Sequence, residues 1–292
     1  MEVATQPKIK ALAPWFGGKR TLAPRIAELL GEHKQYFEPF VGGVSVLWAK
    51  QPSEFETVND LHGELVNLAE VVQGDECFRL YTMLARVVIG DHVMNEAKRL
   101  RKEGVKHDDP VERAYWYFLE SWIGRGGVAG TSRNRGAGYS LSVRWTATGG
   151  DPTTRYQSAV DSLPWWHERL KGVVILQRDA FEIIPKFQDA DHTAIYVDPP
   201  YFAATRSGFN GSGARSRYEH DFEGEDHERL AEALNRFEHA RVVLSYYDCP
   251  QARELYEGWE FHEVDSHKNL ANQNQRGGRP KDRVTELLIV KN

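Results

Sequence analysis

The stretch Asp198-Pro199-Pro200-Tyr201 places a carboxylate, two prolines and an aromatic ring directly after an apolar run. The run, residues 193–197, predicts a buried strand. Ligand chemistry in open α/β sheets lies at the carboxyl ends of strands, which is where Asp198 would be. The prolines restrict the backbone, so the acid and the ring would be held in a stiff, extended arrangement. An ordinary proline-rich turn is the alternative interpretation.

These four residues suit chemistry on an exocyclic amine of a purine base. The amine is a poor nucleophile because its lone pair is delocalised into the ring. Asp198, with the carbonyl of Pro199, could accept hydrogen bonds from the amine and localise the lone pair toward an incoming methyl group. Tyr201 could stack on a base taken out of a duplex, which would offset part of an unstacking cost of about a few kcal/mol. The stretch therefore predicts a methyl-donor site elsewhere in the chain.

A glycine turn near residue 42 is the candidate for that donor site. Residues 36–45 predict a short strand, a turn at Gly42 and Gly43, and a helix over residues 44–50. Glycines there would let the backbone approach a cofactor closely. A second apolar run, residues 55–58, is followed by Asp60, and an acid in that position commonly binds ribose hydroxyls. A tight connection without a ligand is the alternative for the turn alone.

Six landmarks occur in an order that resembles the Dam-like (D12 class) DNA adenine-N6 methyltransferases. They are Trp15-Phe-Gly-Gly-Lys19, Glu38-Pro-Phe-Val-Gly-Gly43, Asn59-Asp60, Arg178-Asp-Ala-Phe181, Asp198-Pro-Pro-Tyr201 and Thr285-Glu-Leu-Leu-Ile-Val290. The resemblance covers residues 8–74 and 170–291 well. It implies S-adenosylmethionine as cofactor, duplex DNA as substrate, and methyl transfer to the N6 amine of a flipped adenine.

The resemblance also implies roles for individual residues. The catalytic residues would be Asp198, Pro199, Pro200 and Tyr201. The cofactor would be bound by Trp15, Gly18, Lys19, Glu38, Phe40, Gly42, Gly43, Asp60, Asp179, Phe181 and Asp198. Lys19 could pair with the carboxylate of the cofactor, and a solvated lysine is its alternative. A helix N-cap is the alternative for Asp179, and both roles can coexist. The chain departs from the family at Val44, where a second glycine of the turn is expected.

Composition and charge set limits on the class of protein. The chain has 292 residues, 41% of them hydrophobic, and a formal net charge of −5 at pH 7. An acidic chain is not attracted to phosphate as a whole, so a DNA contact must be local. The sequence has no apolar run of membrane-spanning length and no signal peptide, and we expect a cytoplasmic protein. Its two cysteines form no disulfide framework and have no metal-site spacing, so we expect no metal.

Three arginine- and lysine-containing segments are candidates for that local contact. They combine flexible backbone with side chains that bind phosphates and base edges. Solvated loops are the alternative for each segment. The candidate residues are Arg125, Arg133, Asn134, Arg135 and Arg144 in the first segment, Arg206, Arg215 and Arg217 in the second, and Lys268 and Arg276 in the third.

The order of predicted elements indicates an α/β protein with an inserted helical part. Helices are predicted over residues 18–30, 60–72, 77–102, 111–123, around 165–166, 227–237 and 251–256, and strands near 36–40, 55–58, 173–177, 193–197, 240–245 and 284–290. We predict a Rossmann-like class I methyltransferase sheet, in which residues 1–74 and 166–292 form the catalytic domain. Residues 75–165 would be a mostly helical inserted target-recognition domain. The aromatics Trp116, Tyr117 and Trp122 have helical spacing and are predicted to be core.

Three alternative functions stay open at this point. The first is methylation of adenine in RNA, which uses the same four-residue stretch; the helical insertion and the Gly-Gly-Lys start argue against it. The second is a DNA-binding protein with a decayed transferase core, suggested only by Val44. The third is methylation of cytosine at N4, but that motif usually opens with serine and this chain has Asp198.

Overall fold

A seven-stranded sheet forms the centre of the protein. The structure, a computed structural model, describes residues 9–15, 17–105, 107–123, 152–202, 222–267 and 283–292. The strands are β1 (Gln35–Glu38), β2 (Phe55–Asn59), β3 (Val173–Leu176), β4 (Thr193–Val197), β5 (Arg241–Tyr247), β6 (Glu260–His267) and β7 (Arg283–Lys291). Their order across the sheet is β3-β2-β1-β4-β5-β7-β6. Strands β1 to β5 pair in parallel, and β7 runs antiparallel to both β5 and β6.

Helices alternate with the parallel strands. They are α1 (Ala23–Leu30), α2 (Ser45–Ala49), α3 (Gly63–Gln73), α4 (Cys77–Ala85), α5 (Asp91–Glu103), α6 (Pro110–Ile123), α7 (Pro152–Asp161), α8 (Leu163–Leu170), α9 (Ala180–Ile183), α10 (Gly224–Asn235) and α11 (Pro250–Leu255). The strand order reverses between β1 and β4, which is the switch point where doubly wound sheets bind ligands. The predicted Rossmann-like class I methyltransferase sheet is confirmed. No helix in the described ranges has the length and apolarity needed to cross a membrane.

The structure differs from the predicted elements at several boundaries. The first helix begins at Ala23 rather than Gly18, because residues 19–22 form turns and a proline occupies the first turn of α1. The helix predicted over residues 77–102 is two helices, α4 and α5, separated by a break that contains Gly90. Helix α7 and strand β6 were not predicted. Strand β6 carries polar side chains at most positions, so it has no apolar pattern to recognise.

The described elements between α3 and β3 are all helical. Helices α4, α6, α7 and α8 share one hydrophobic cluster with α1, α3 and the sheet. Within it, the Trp122 indole donates to the Leu12 carbonyl at 3.3 Å, and the Tyr156 hydroxyl donates to the Leu84 carbonyl at 2.8 Å. Trp122 is fully buried, while Trp116 and Tyr117 pack half-buried against the cluster. The division of the chain into domains at residues 74 and 165 stays a prediction.

Val44 has the backbone conformation that a glycine would adopt. Its φ of 61° and ψ of 23° are left-handed, and no other non-glycine residue in the described ranges has a positive φ. A β-branched side chain in this region costs roughly 1–2 kcal/mol. The side chain is 1% exposed, so its burial offsets that cost. The turn therefore keeps a left-handed backbone at Val44 although the second glycine is absent from the sequence.

This conformation predicts an inverted order of stability for two substitutions. We expect Val44→Gly to be more stable than Val44→Ala by about 1 kcal/mol, because alanine keeps the Cβ that the left-handed conformation disfavours. Both variants should be less stable than the parent, since each loses buried apolar surface. Urea unfolding measures the difference. At Val66, buried within α3, the same pair should show the opposite order. Alanine as the more stable variant at both positions would contradict the interpretation.

Candidate active site

The ends of β1 and β4 meet at the switch point of the sheet. The two strands pair in parallel, so Glu38 at the end of β1 and Asp198 after β4 lie at the same edge. Both side chains line one pocket, together with residues from the amino-terminal segment and the glycine turn. The lining is Trp15, Gly18, Lys19, Glu38, Val41, Gly42, Gly43, Ser45, Val46, Tyr196 and Asp198. The topology thus brings the two ends of the predicted site into one cavity.

The glycine turn is held in place from two sides. Gly42 has a φ of 48°, and a Cβ there would lie 2.8 Å from the Trp15 indole. A Cβ on Gly43 would lie 2.9 Å from the carbonyl oxygen of Ala13. On the other side, Asp60 accepts from the Gly42 amide at 2.9 Å. No larger residue fits either glycine position without a shift of its neighbours, so the pocket wall depends on both.

Asn59 and Asp60 connect the ends of three strands. The Asn59 amide group donates to the carbonyls of Pro39 and Arg178 at 2.9 Å each, and its oxygen accepts from the Arg178 amide at 2.9 Å. The second carboxylate oxygen of Asp60 accepts from the His62 amide at 2.9 Å. These bonds fix the loops after β1, β2 and β3 relative to one another. The predicted ribose role of Asp60 stays a prediction; the structure shows its carboxylate accepting from the backbone amides of Gly42 and His62.

Lys19 lies between two carboxylates at the base of the pocket. Its ammonium is 2.9 Å from Asp198 Oδ1 and 3.4 Å from Glu286 Oε1, and it donates to the Gly17 carbonyl at 2.7 Å. It also lies 4.9 Å from the centre of the Tyr201 ring. The side chain of Lys19 is 7% exposed, and Glu286 is as deeply buried. The structure shows this ammonium against protein carboxylates, and the predicted contact with a cofactor carboxylate stays a prediction.

Tyr201 is buried at the other end of the four-residue stretch. Its hydroxyl donates to Glu286 Oε1 at 2.6 Å. Its ring lies 5.5 Å from the ring of Tyr246 and 4.8 Å, edge to face, from that of Tyr247, and 6% of the residue is exposed. The predicted stacking of Tyr201 on a base stays a prediction. Sequence reasoning assigned no role to Glu286; its only signal was one acid within the apolar run of β7.

Burial and neighbouring charges shift the pKa of Asp198 in opposite directions. Burial raises the pKa of Asp198 to about 6, and the negative charge of Glu286 acts in the same direction. The Lys19 ammonium opposes both and lowers this pKa. An acid with a pKa near 6 is mostly ionised at neutral pH. Asp198 is therefore a hydrogen-bond acceptor under those conditions, as the predicted chemistry requires.

Glu38 is the second buried acid of the pocket. Burial raises the pKa of Glu38 to about 8, although the Tyr36 hydroxyl, which donates to Glu38 Oε2 at 2.7 Å, acts in the opposite direction. Glu38 is 2% exposed, and none of the ion pairs between described residues includes it. It is therefore largely protonated at neutral pH in this structure.

We expect Glu38→Gln to flatten the dependence of folding stability on pH. The pKa of Glu38 is higher in the folded chain than its ordinary value, so its stabilising contribution is complete below about pH 4.5. That contribution is lost as the pH rises through about 8, by up to about 1.4 kcal/mol per pH unit. Glutamine resembles the protonated acid and does not titrate. Unfolding free energies measured by urea from pH 5 to 9 test this, and parallel curves for the parent and the variant would contradict it.

An aromatic group lies beside the pocket at the ends of β1 and β3. Phe222 stacks on Phe181, with ring centres 5.5 Å apart, and meets Phe40 edge to face at 5.7 Å. Asp179 is exposed and accepts from the Phe181 amide at 2.8 Å, so the helix N-cap interpretation is confirmed. The structure brings Phe40 and Phe181 together through Phe222, to which sequence reasoning gave no role. Cofactor contacts by Phe40, Asp179 and Phe181 stay predictions.

The predicted DNA-contacting residues lie outside the described ranges. This applies to all ten of them: Arg125, Arg133, Asn134, Arg135, Arg144, Arg206, Arg215, Arg217, Lys268 and Arg276. The predicted catalytic and cofactor residues are all described. Of these, the pocket brings together Trp15, Gly18, Lys19, Glu38, Gly42, Gly43 and Asp198. It also adds Ser45 and Tyr196, which sequence reasoning did not single out.

Comparison with known proteins gives a consistent result along the whole chain. Residues 15–120 and 145–270 match the family described as D12 class N6 adenine-specific DNA methyltransferase. The chain is 27% identical to the type II methyltransferase M.MjaIII of Methanocaldococcus jannaschii, covering 97% of this chain and 99% of that protein. It is 25% identical to the DNA adenine methylase of Escherichia coli K12, covering 97% and 95%. The match spans well over half of the chain, so this protein belongs to the D12 class N6 adenine-specific DNA methyltransferase family.

Proposed function

We propose that this protein transfers the methyl group of S-adenosylmethionine to the N6 amine of an adenine rotated out of duplex DNA. The observation that carries the proposal is the placement of Asp198. This residue directly follows β4 and lines the same pocket as the glycine turn. The proposed catalytic carboxylate and the predicted donor site are thus adjacent, as group transfer between two bound molecules requires. Membership of the family supports the same reaction.

The residues of the pocket fit the cofactor. Gly42 leaves no room for a side chain beside Trp15, so a ligand at this turn would meet backbone. Ser45 lines the pocket, and its buried hydroxyl has no hydrogen-bond partner among the described residues. A buried polar group without a partner is costly, and a polar ligand would satisfy it. When bound, S-adenosylmethionine would supply a methyl group on a positively charged sulfur; its S–C bond would break as the N–C bond forms, with a neutral thioether as the leaving group, and the methylated amine would release one proton.

We assign the amino-acid end of the cofactor to Glu38, Ser45 and the backbone of Gly42 and Gly43. A cationic ammonium beside Glu38 would favour ionisation of this acid, whose pKa is about 8 in this structure. Asp60 holds the Gly42 amide and is assigned to the ribose side of the pocket. Phe40 and Phe181 are assigned to the adenine ring of the cofactor, because their aromatic group lies beside the pocket.

Asp198 acts on the target amine. Its ionised carboxylate accepts hydrogen bonds from the amine, which localises the nitrogen lone pair. The pocket excludes most water from this acid, and a drier site strengthens such electrostatic interactions. Rotation of the adenine out of the duplex costs about a few kcal/mol, which contacts in the pocket and along the DNA must offset. For the DNA contacts we propose the three basic segments named above.

A methyl-transfer assay tests this function. Protein, S-adenosylmethionine with a labelled methyl group, and mixed-sequence duplex DNA are incubated, and the DNA is digested to nucleosides. We expect the label in N6-methyladenine. Folded RNA of matched composition should take up little label. Label confined to RNA, or found at N4 of cytosine, would contradict the proposal.

A further inference from the structure

Glu286 is a buried carboxylate in an otherwise apolar part of β7. Its strand lies inside the sheet between β5 and β6, and the next four residues, 287–290, are buried hydrophobics. The side chain is 6% exposed. Placing a charge there costs free energy of desolvation, and an apolar residue of similar volume is often neutral or more stabilising. The fold alone therefore gives no reason for an acid at this position.

Among the described residues, the hydrogen bond and the ion pair of the Glu286 side chain are both with the predicted catalytic stretch and its cation. Oε1 accepts from the Tyr201 hydroxyl at 2.6 Å and lies 3.4 Å from the Lys19 ammonium. The same ammonium lies 2.9 Å from Asp198. Glu286 thus contacts Tyr201, the last residue of the four-residue stretch, directly. It is linked to Asp198, the first residue, through Lys19.

We propose that Glu286 is a positioning residue for methyl transfer, which fixes Tyr201 and shares Lys19 with Asp198. The inference rests on the proposed function of the site. The Lys19 ammonium pairs with both carboxylates, so it neutralises Asp198 less completely than it would in an isolated pair. The Asp198 carboxylate is therefore less engaged by Lys19 and stays available to accept hydrogen bonds from the amine. The hydrogen bond to Tyr201 holds the loop after β4 against β7, which keeps the Asp198 backbone in one place.

Among the described residues, five titratable groups on the elements packed around Glu286 interact with it. They are Lys19 from the amino-terminal segment, Tyr196 and Asp198 from β4 and its end, Tyr201 from the following loop, and Tyr247 from β5. Of these, Asp198 has a pKa of about 6, and Glu286 contributes to raising it. Burial raises the pKa values of the three tyrosines, so they stay protonated across the working range. The acid limb of a pH profile of activity therefore reports on Asp198, because Glu38, with a pKa of about 8, titrates at higher pH.

The test compares Glu286→Gln with Glu263→Gln. Glutamine keeps the volume and an acceptor for Tyr201 but removes the charge. Glu263 lies on the adjacent strand β6, where its exposed carboxylate pairs with Arg253, so it controls for loss of a glutamate in this part of the sheet. The measurements are kcat and KM for duplex DNA, the Kd for S-adenosylmethionine, and kcat/KM from pH 5 to 9.

For Glu286→Gln we expect kcat to fall about ten-fold, with the cofactor Kd within about three-fold of the parent. The acid limb of kcat/KM should move to lower pH, because the charge that raises the pKa of Asp198 is gone. Glu263→Gln should match the parent in all three. If Glu286→Gln keeps the parent's kcat and acid limb while the parent methylates DNA, Glu286 does not position the site and the proposed function stands. A parent that transfers no methyl group to DNA overturns both.

Tyr201→Phe provides a second measurement that does not require Glu286→Gln to fold, because a kcat equal to that of the parent would by itself overturn the role of this hydrogen bond. Removing the hydroxyl leaves Glu286 in place but breaks its hydrogen bond. We expect a fall in kcat smaller than that of Glu286→Gln, and a smaller further fall when the two substitutions are combined than their separate effects predict. Strictly independent effects on kcat would overturn the positioning role.

Discussion

We expect Asp198→Asn to reduce methyl transfer by about 10²–10³-fold while the Kd for S-adenosylmethionine stays within a few-fold of the parent. An amide at this position presents a donor as well as an acceptor and carries no charge, so it cannot localise the lone pair of the target amine. The side chain keeps its volume, and Lys19 keeps its contact with Glu286. Single-turnover methylation of duplex DNA and isothermal titration of the cofactor separate the two effects.

Asp248→Asn is the matched control for this substitution. Asp248 follows β5 just as Asp198 follows β4, but its carboxylate is more exposed and pairs with Arg253. We expect the control to methylate DNA at the parent's rate. The parent should also lose kcat/KM below about pH 6, because the free enzyme needs Asp198 ionised and its pKa is about 6. Turnover by Asp198→Asn within ten-fold of the parent would contradict the assigned role.

The sequence was sufficient to predict the part of the site that lies at strand ends. Strand β4 has the predicted bounds, residues 193–197, because a threonine and four apolar residues, all buried and followed by Asp198, leave little ambiguity. The resemblance implied that Glu38 and Asp198 belong to one site, and the parallel pairing of β1 and β4 brings them to the same edge of the sheet. The glycine turn was predicted from the two glycines themselves, whereas their close approach to Trp15 and Ala13 was not.

The contacts of Glu286 could not be predicted in the same way. Glu286 meets Tyr201 across 85 positions of sequence, and only the antiparallel placement of β7 beside β5 brings them together. No local pattern encodes that pairing. The ion pairs of Lys19 could not be predicted for the same reason. A lysine near a glycine pair predicts a ligand contact, but its two carboxylate partners lie after β4 and on β7, far away in the sequence.

Val44 shows the limit of reasoning from residue type. As a sequence, the missing glycine was the only observation in favour of a decayed transferase core. The structure gives Val44 a left-handed backbone and a buried side chain, so the turn has the same kind of conformation that glycine would allow. A local preference was overridden by packing, which is common where tertiary contacts are dense. The absence of a glycine at position 44 therefore no longer favours a decayed transferase core.

Removal of the lysine that joins the two carboxylates should have the largest effect on stability. We expect Lys19→Met to lower the free energy of unfolding at pH 8 by about 3–5 kcal/mol, because Asp198 and Glu286 would be left buried without a cation. Without the ammonium, which lowers the pKa of Asp198, that pKa rises further, so the loss should be smaller at pH 5.5, where protonation of Asp198 removes the repulsion. Urea unfolding at the two pH values measures both quantities.

A second substitution and a surface control complete this test. Lys19→Met combined with Glu286→Gln should recover part of the lost stability at pH 8, since one buried charge is then absent and Asp198 no longer faces a second carboxylate. Lys34→Met removes an exposed lysine that pairs with Glu54 at 3.3 Å, and it should cost less than about 1 kcal/mol at either pH. Equal costs for Lys19→Met and Lys34→Met, or a double variant less stable than Lys19→Met alone, would show that the ammonium does not hold the two acids together.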